Sequence, residues 1–123
     1  MLINLTNHPF DKWEGKQKTE ALRIYNTVAD LPFPSVNPAW DEHELKAQAG
    51  AYIQQCLTIL HGCTDNHKAV HIMGEFTFTY AVISGLLKAG VECIASTSER
   101  LVTEEGNGKK TVTFRFVRFR KYN

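Results

Sequence analysis

Short apolar segments alternate with helix-forming segments along residues 1–95, and this alternation limits the folds open to the chain more than any other feature. Because parallel strands require right-handed crossover connections, the order predicts a mostly parallel sheet with helices on both faces. We therefore expect an α/β fold, a Rossmann-like three-layer α/β/α sandwich. The predicted strands are 1–6, one that lies within 24–31, 69–73 and 91–95, and the predicted helices are 13–23, 37–61 and 76–87.

The second predicted helix has two candidate starting points. Asn37 can cap it with Pro38 in the first turn, or Asp41 can cap it with Glu44 three residues later, as in a capping box. Gly62 is a natural end, since glycine readily adopts the conformation that follows a helix. The long apolar stripe between these points makes this the most clearly predicted helix of the chain.

The C-terminal segment predicts a β-hairpin. Residues 96–100 (Ser-Thr-Ser-Glu-Arg) are polar and are expected to form a loop after the fourth strand. Residues 101–105 and 110–122 flank a glycine-containing turn, so they are expected to pair as an antiparallel hairpin. The apolar–polar alternation of the second arm is broken at Val117, which predicts a β-bulge. With 123 residues, the chain is expected to form one domain, 1–123.

Composition excludes several classes of protein. The 14 basic and 13 acidic residues give a formal net charge of +1, which argues against binding of duplex DNA. The hydrophobic content of 43% and charged content of 22% are typical of a soluble globular protein. No segment resembles a signal peptide or a membrane span. The three cysteines cannot all pair within one chain, so we expect a reduced, cytoplasmic protein.

Small and polar residues follow three of the predicted strands, at the edge where open α/β sheets bind ligands. Hydroxyl, amide, imidazole and guanidinium groups at one edge suit a phosphate or a nucleotide, and helix N-termini add further N–H donors. The alternative is that these residues only cap helices and turns. The candidate ligand-binding residues are Thr6, Asn7, Gly74, Glu75, Thr77, Ser96, Thr97 and Ser98, and His8 and Arg100 lie among them.

His8 and Arg100 are the candidate catalytic residues. An imidazole at a strand end can exchange protons near neutral pH, and a guanidinium binds phosphate oxygens through two parallel hydrogen bonds. The alternatives are a turn histidine that bonds the backbone, and an arginine paired with Glu99 or Glu75. Glu75 could itself act as a base, but the favoured interpretation is a carboxylate stabilised at a helix N-terminus.

Other suggestive residues are assigned structural roles. His71 lies inside an apolar strand and is expected to be a buried histidine with its hydrogen bonds satisfied. His61, Cys63 and His67 lack a second ligand pair, so no metal site is predicted. The P-loop, dinucleotide and nucleophile-elbow motifs are missing, and no cofactor is predicted. Residues 113–120 interleave aromatic residues with arginines, which can bind single-stranded nucleic acid, although a half-buried strand with solvated arginines is favoured.

The segments LINLTNHP, VHIMGEFTFTY and CIASTSER resemble the small stand-alone Rossmann-like proteins of CRISPR-linked antiviral defence. These are the CARF-type cyclic-oligoadenylate binders and ring nucleases. The resemblance covers the whole chain in topology and, in residue type, the loops after the first and fourth strands. It implies a ligand bound across the two-fold axis of a homodimer. Carried over by position, the implied contacts are Thr6, Asn7, His8, Gly74, Glu75, Ser96, Thr97 and Arg100.

Three functions are compatible with the sequence. The first is a nucleotide-binding protein, which could also be a metal-independent phosphodiesterase: Arg100 would hold phosphate while His8 moves a proton during attack by a ribose 2′-hydroxyl. The second is a non-enzymatic interaction module. The third is a small enzyme that acts on an unrelated metabolite at the same edge of the sheet. The apolar residues 76–87 and the aromatic last strand also predict a homodimer.

Overall fold

A computed structural model describes residues 1–123 and arranges them as a five-stranded sheet with helices on both faces. The chain runs through β1 (Leu2–Leu5), a short 3-10 helix (Phe10–Lys12), α1 (Gly15–Tyr25), β2 (Val28–Asp30), α2 (Glu42–His61), β3 (Ala69–Ile72), α3 (Phe76–Lys88), β4 (Glu92–Glu104) and β5 (Lys110–Lys121). No helix combines the length and the apolar character needed to cross a membrane.

The strand order in the sheet is β2-β1-β3-β4-β5. The first four strands are parallel, and β5 pairs antiparallel with β4 at the edge. The predicted α/β class, with a mostly parallel sheet and a C-terminal antiparallel hairpin, is confirmed. From β1 the chain moves to one side of the sheet and then crosses back to β3, so the order reverses between β1 and β3. In open α/β sheets this switch point is where ligands bind.

Each face of the sheet has its own apolar core. Ile3, Val70 and Cys93 belong to the core that α2 and α3 cover, whereas Leu2 and Ile94 belong to the core on the α1 side. Because side chains alternate along a strand, the residues two positions after Leu2 and Ile94 also point toward α1. Those positions carry the polar residues Asn4 and Ser96, which belong to the candidate site.

The predicted ends and irregularities of several elements are confirmed. Asp41, and not Asn37, caps α2, because its Oδ1 accepts from the Glu44 N–H at 2.9 Å. The hairpin register shifts between Thr97 and Ser98, so that Val117 on β5 is the extra residue of a bulge. Phe116 and Phe119 are three residues apart, and the extra residue between them lets both side chains point into the core on the α1 side.

The prediction of a loop at residues 96–100 is wrong. These residues lie inside β4, which continues without a break from Glu92 to Glu104 and pairs with β5 along almost its whole length. The predicted fourth strand and the first arm of the predicted hairpin are therefore one strand. The run of serine, threonine and charged residues forms a strand because β5 supplies its hydrogen bonds, and that partner is distant in sequence.

Candidate functional site

A cavity of about 460 Å³ opens on the α1 side of the sheet, at the carboxyl ends of β1 and β3. It therefore lies at the switch point of the sheet, and its volume is within the range of small-molecule sites. We call it the Ser96 pocket. Its lining residues are Thr6, Asn7, His8, Lys12, Trp13, Glu14, Gln17, His71, Met73, Ser96, Thr97, Ser98, Phe114 and Phe116.

A row of hydrogen-bonded polar side chains crosses three neighbouring strands beneath this pocket. Asn4 on β1 lies opposite His71 on β3, and Asn4 Oδ1 is 3.0 Å from His71 Nδ1. On the other side of the ring, His71 Nε2 is 2.6 Å from the Oγ of Ser96 on β4. Gln17 of α1 donates from Nε2 to the same Oγ at 3.0 Å. Asn4 and His71 are buried, whereas Ser96 reaches the pocket.

The surroundings of Asn4 decide which way its amide points. Its Nδ2 donates to the His8 carbonyl oxygen and to Asp30 Oδ1, each at 2.9 Å, and both partners are acceptors. The amide oxygen must then face His71, where it also accepts from the Thr6 hydroxyl at 2.9 Å. It follows that Nδ1 of His71 carries the ring proton and that Nε2 accepts the hydrogen bond from Ser96.

Burial keeps the His71 ring neutral. The side chain is 3% exposed, and desolvation lowers its pKa from 6.5 to about 4. Trp13 and Phe119 pack edge-on against the ring at centroid distances of 5.1 and 5.8 Å. None of the groups in contact with the ring is ionisable, so no neighbouring charge offsets the cost of charging it. At neutral pH the imidazole is a hydrogen-bond acceptor at Nε2.

The walls of the pocket combine one cation with aromatic surface. Lys12 is exposed at the end of the 3-10 helix, and its side-chain ammonium has no hydrogen-bond or ion-pair partner. The Glu14 carboxylate, the acidic group of the lining, accepts a hydrogen bond from the Phe116 N–H. The Phe114 ring is 65% exposed on the hairpin side of the opening. The pocket can thus hold a ligand that has both an anionic group and a flat apolar face.

Six of the residues predicted from sequence come together in the Ser96 pocket. They are Thr6, Asn7, His8, Ser96, Thr97 and Ser98. The His8 side chain is exposed, while its backbone carbonyl oxygen accepts from Asn4 Nδ2 and from the Trp13 indole N–H. The imidazole makes no hydrogen bond to the backbone, in contrast to the alternative of a turn histidine, and it remains available to a ligand.

Gly74, Glu75 and Thr77 lie outside this pocket. Glu75 is the N-cap of α3: its carboxylate accepts from the Phe78 N–H at 2.7 Å and from the Thr77 hydroxyl. These hydrogen bonds, the one from Phe78 first, lower the pKa of Glu75. The favoured interpretation of Glu75 as a helix N-terminal carboxylate is confirmed. Glu75 and Thr77 line a separate cavity of about 270 Å³ beside the N-terminus of α2.

Gly74 has a packing role that the sequence did not reveal. A Cβ atom at this position would overlap the Phe33 ring, which is 7% exposed and packs edge-on against Phe78. We expect Gly74→Ala to lower the free energy of unfolding by about 2 kcal/mol, because the buried ring must shift. Urea denaturation checks this. Gly106→Ala, where a Cβ meets open space, is the control and should change stability by less than about 0.5 kcal/mol.

Arg100 lies beyond the pocket on the same face of β4 as Ser96 and Ser98. Its register partner is Phe114, whose side chain does line the opening. The Arg100 side chain is exposed and makes no ion pair with Glu99 or Glu75. A ligand confined to the pocket would not contact the Arg100 side chain, whereas a ligand that extends along the hairpin would contact it.

Two of the three residues considered as zinc ligands, Cys63 and His67, have other partners. The Cys63 Sγ accepts from the Asp65 N–H, and His67 Nε2 lies 3.2 Å from a Glu92 carboxylate oxygen. No three histidine, cysteine or acidic side chains come close enough together to hold a metal ion. On β5 the arginines are exposed, as expected, and Phe116 and Phe119 are buried. The strand is less buried than expected, because Phe114 is 65% exposed.

Sequence reasoning missed Asn4, Trp13 and Gln17 as members of the site, and it treated His71 only as a core residue. His71 is indeed buried with both ring nitrogens bonded, but one of those bonds leads to the pocket. A signal was present: LINL and AVHI each carry one polar residue at the third position of an apolar strand. Polar residues at matching positions of adjacent buried strands indicate a network, since each needs a partner.

One comparison with known proteins gives a match. The model of a family described as "Uncharacterized protein MJ1673 family" matches residues 1–120. No curated protein and no solved structure matches the chain. Because the match extends over almost the whole chain, the protein belongs to the MJ1673 family.

Proposed function

We propose that this member of the MJ1673 family is a nucleotide-binding protein whose ligand occupies the Ser96 pocket. The observation that carries the proposal is the position of that pocket at the switch point of a parallel sheet, lined by four hydroxyl side chains and one free lysine. The hydroxyls of Thr6, Ser96 and Thr97 already donate within the protein. The Lys12 ammonium and the Ser98 hydroxyl are therefore the free donors that sugar and phosphate oxygens would accept from. The exposed Phe114 ring offers a face on which a base can stack.

A cyclic oligoadenylate is the ligand we propose first, following the resemblance to ring nucleases and CARF-type binders. A pocket of about 460 Å³ takes only part of such a ring. The rest would extend along the exposed face of β4 toward Arg100, and a second copy of the chain would cover the other half. A ligand of this size would thus account for both the position of Arg100 and a homodimer. We also propose that the protein acts in the cytoplasm, in CRISPR-linked defence.

Cleavage of the bound ring without a metal is the activity we propose to test. A ribose 2′-oxygen would attack the adjacent phosphorus, the 5′-oxygen would leave, and a 2′,3′-cyclic phosphate would result. His8 would take the proton of the 2′-hydroxyl and give it to the departing 5′-oxygen, because its exposed imidazole lies at the pocket opening. Arg100 would hold a phosphate of the same ring.

Thermal unfolding in the presence of a panel of nucleotides tests the proposed binding. The panel should contain AMP, linear oligoadenylates and cyclic tetra- and hexa-adenylate. A ligand at 100 times its Kd adds about 2.7 kcal/mol to the free energy of unfolding. No stabilisation by any member of the panel at millimolar concentration contradicts the proposal.

Lys12→Met is expected to weaken the binding of a nucleotide roughly tenfold, since the variant loses the free cation of the pocket but keeps a side chain of similar length. Titration calorimetry with the best ligand of the panel measures the change. Lys46→Met is the matched control, because Lys46 is also exposed but lies on α2, on the opposite face of the sheet. Equal loss of affinity in both variants would mean that only overall charge matters.

A second candidate function, a dimeric interaction module, is favoured by a different surface. Within residues 76–87 several apolar side chains are buried in the core, but Phe76 is 91% exposed and Tyr80 is 75% exposed on the same side of α3. A second copy of the chain is the partner that we propose for this surface. Light scattering that gives twice the chain mass at micromolar concentration supports it, and the monomer mass contradicts it.

A further inference from the structure

Ser96 has a set of partners that nucleotide binding alone does not require. Its Oγ lies 2.6 Å from His71 Nε2, and His71 Nδ1 lies 3.0 Å from Asn4 Oδ1. Hydroxyl, imidazole and amide oxygen in this order form the arrangement in which a ring takes the proton of a nucleophile while a third group orients the ring. The three residues come from three neighbouring strands, so the sheet fixes their spacing.

The orientation of the Asn4 amide is the one that such a site needs. Since Nδ2 is held by Asp30 and by the His8 carbonyl oxygen, Oδ1 faces the ring and Nδ1 carries the proton. The lone pair of Nε2 is then free to accept the Ser96 proton. An amide turned the other way would place the proton on Nε2, and the ring could not act as a base.

Two N–H donors lie close to the oxygen of Ser96. Gln17 Nε2 donates to this oxygen at 3.0 Å and has a second hydrogen. The backbone N–H of Ser96 itself lies past the end of β3, where its acceptor is the Met73 sulfur at 3.4 Å. Sulfur is a weak acceptor, so a negatively charged oxygen that develops on a substrate would replace it.

We propose that Ser96 is the nucleophile of an ester-hydrolysing site, with His71 as its base and Asn4 as a positioning residue. The Ser96 oxygen would bond to the electrophilic carbon or phosphorus of the ester while its proton moves to His71 Nε2. The departing alcohol oxygen would take that proton and leave a covalent Ser96 ester. A water molecule would then give its proton to His71 and its oxygen to the ester, which releases Ser96 with its proton restored.

A fluorophosphonate probe tests the proposal without knowledge of the substrate. The Ser96 oxygen would displace fluoride from phosphorus, and the intact protein would gain the mass of one probe less that of the HF released. We expect the label on Ser96, no label there in Ser96→Ala, and unchanged labelling in Ser35→Ala, whose exposed hydroxyl lacks a histidine partner. His71→Gln should lower the labelling rate about 100-fold or more. Hydrolysis of p-nitrophenyl acetate or of bis(p-nitrophenyl) phosphate then separates carboxylic from phosphoric esters.

The pH profile separates an activated serine from an ordinary one, and it needs only the wild-type protein. With a neutral imidazole as base, the labelling rate should stay nearly constant from pH 6 to pH 8. An ordinary hydroxyl must lose its proton to water, so its rate rises about tenfold for each pH unit. Labelling of Ser96 no faster than that of Ser35, or a tenfold rise per pH unit, overturns the proposal. Either outcome overturns the proposal whether or not His71→Gln folds. Neither outcome bears on the nucleotide binding proposed for the same pocket.

Discussion

Asn4→Ala is expected to lower the free energy of unfolding by about 4 kcal/mol. The Asn4 side chain is 1% exposed and bonds to His71, Asp30, Thr6 and the backbone of His8 at distances of 2.9 or 3.0 Å. Alanine would leave the His71 Nδ1–H and the His8 carbonyl oxygen with fewer partners in a buried site. Each unsatisfied group costs about 1–3 kcal/mol. Equilibrium denaturation in urea measures the sum.

Asn7→Ala is the matched control for this prediction. Asn7 lies three residues further along the same segment and is exposed, and its side chain makes no hydrogen bond to the protein. We expect a change of less than about 0.5 kcal/mol. A loss below about 1 kcal/mol in Asn4→Ala would mean that the polar row does not hold the strands together.

Between pH 6.5 and pH 4 the protein is expected to lose about 3 kcal/mol of stability through His71 alone. Burial lowers the pKa of this residue from 6.5 to about 4, so in this range the unfolded chain takes up a proton that the folded protein does not bind. A displacement of that size corresponds to about 1.4 kcal/mol per pKa unit. The contribution is complete above pH 6.5, is lost as pH falls, and does not change further below pH 4.

The difference between the wild type and His71→Gln isolates this effect, since glutamine does not titrate. Urea denaturation at pH 7, 6, 5 and 4.5 should give a stability that falls less steeply with pH in the variant, whatever its stability at pH 7. Equal slopes in wild type and His71→Gln would show that the ring is charged in the folded state.

The parts of the fold that follow from local signals could be predicted. Asp41 and Glu44 mark the start of α2, and the broken alternation at Val117 marks the bulge, because caps and alternation depend on residues close in sequence. The path of β4 through residues 96–100 could not be predicted in this way. Its polar residues are typical of loops, and the hydrogen bonds that make them a strand come from β5, about twenty residues away.

The site was predicted only in outline for the same physical reason. Sequence order indicates which loops meet at the switch point, and the pocket indeed gathers residues that follow β1 with residues of β4. The partners of His71, however, are 67 and 25 residues away, at Asn4 and Ser96. Their pairing depends on strand register, which places Asn4 beside His71 and brings Ser96 to the same face two residues beyond Ile94.

The measurement that tests the Ser96 pocket as the functional centre most directly is a nuclear magnetic resonance titration with cyclic tetra-adenylate. The account predicts saturable changes that are largest at the Trp13 indole N–H and at the backbone amides of Ser96 and Thr97, which line the pocket. Chemical shifts that do not saturate would contradict it. Changes confined to Glu75 and Thr77, at the separate cavity beside α2, would contradict it equally.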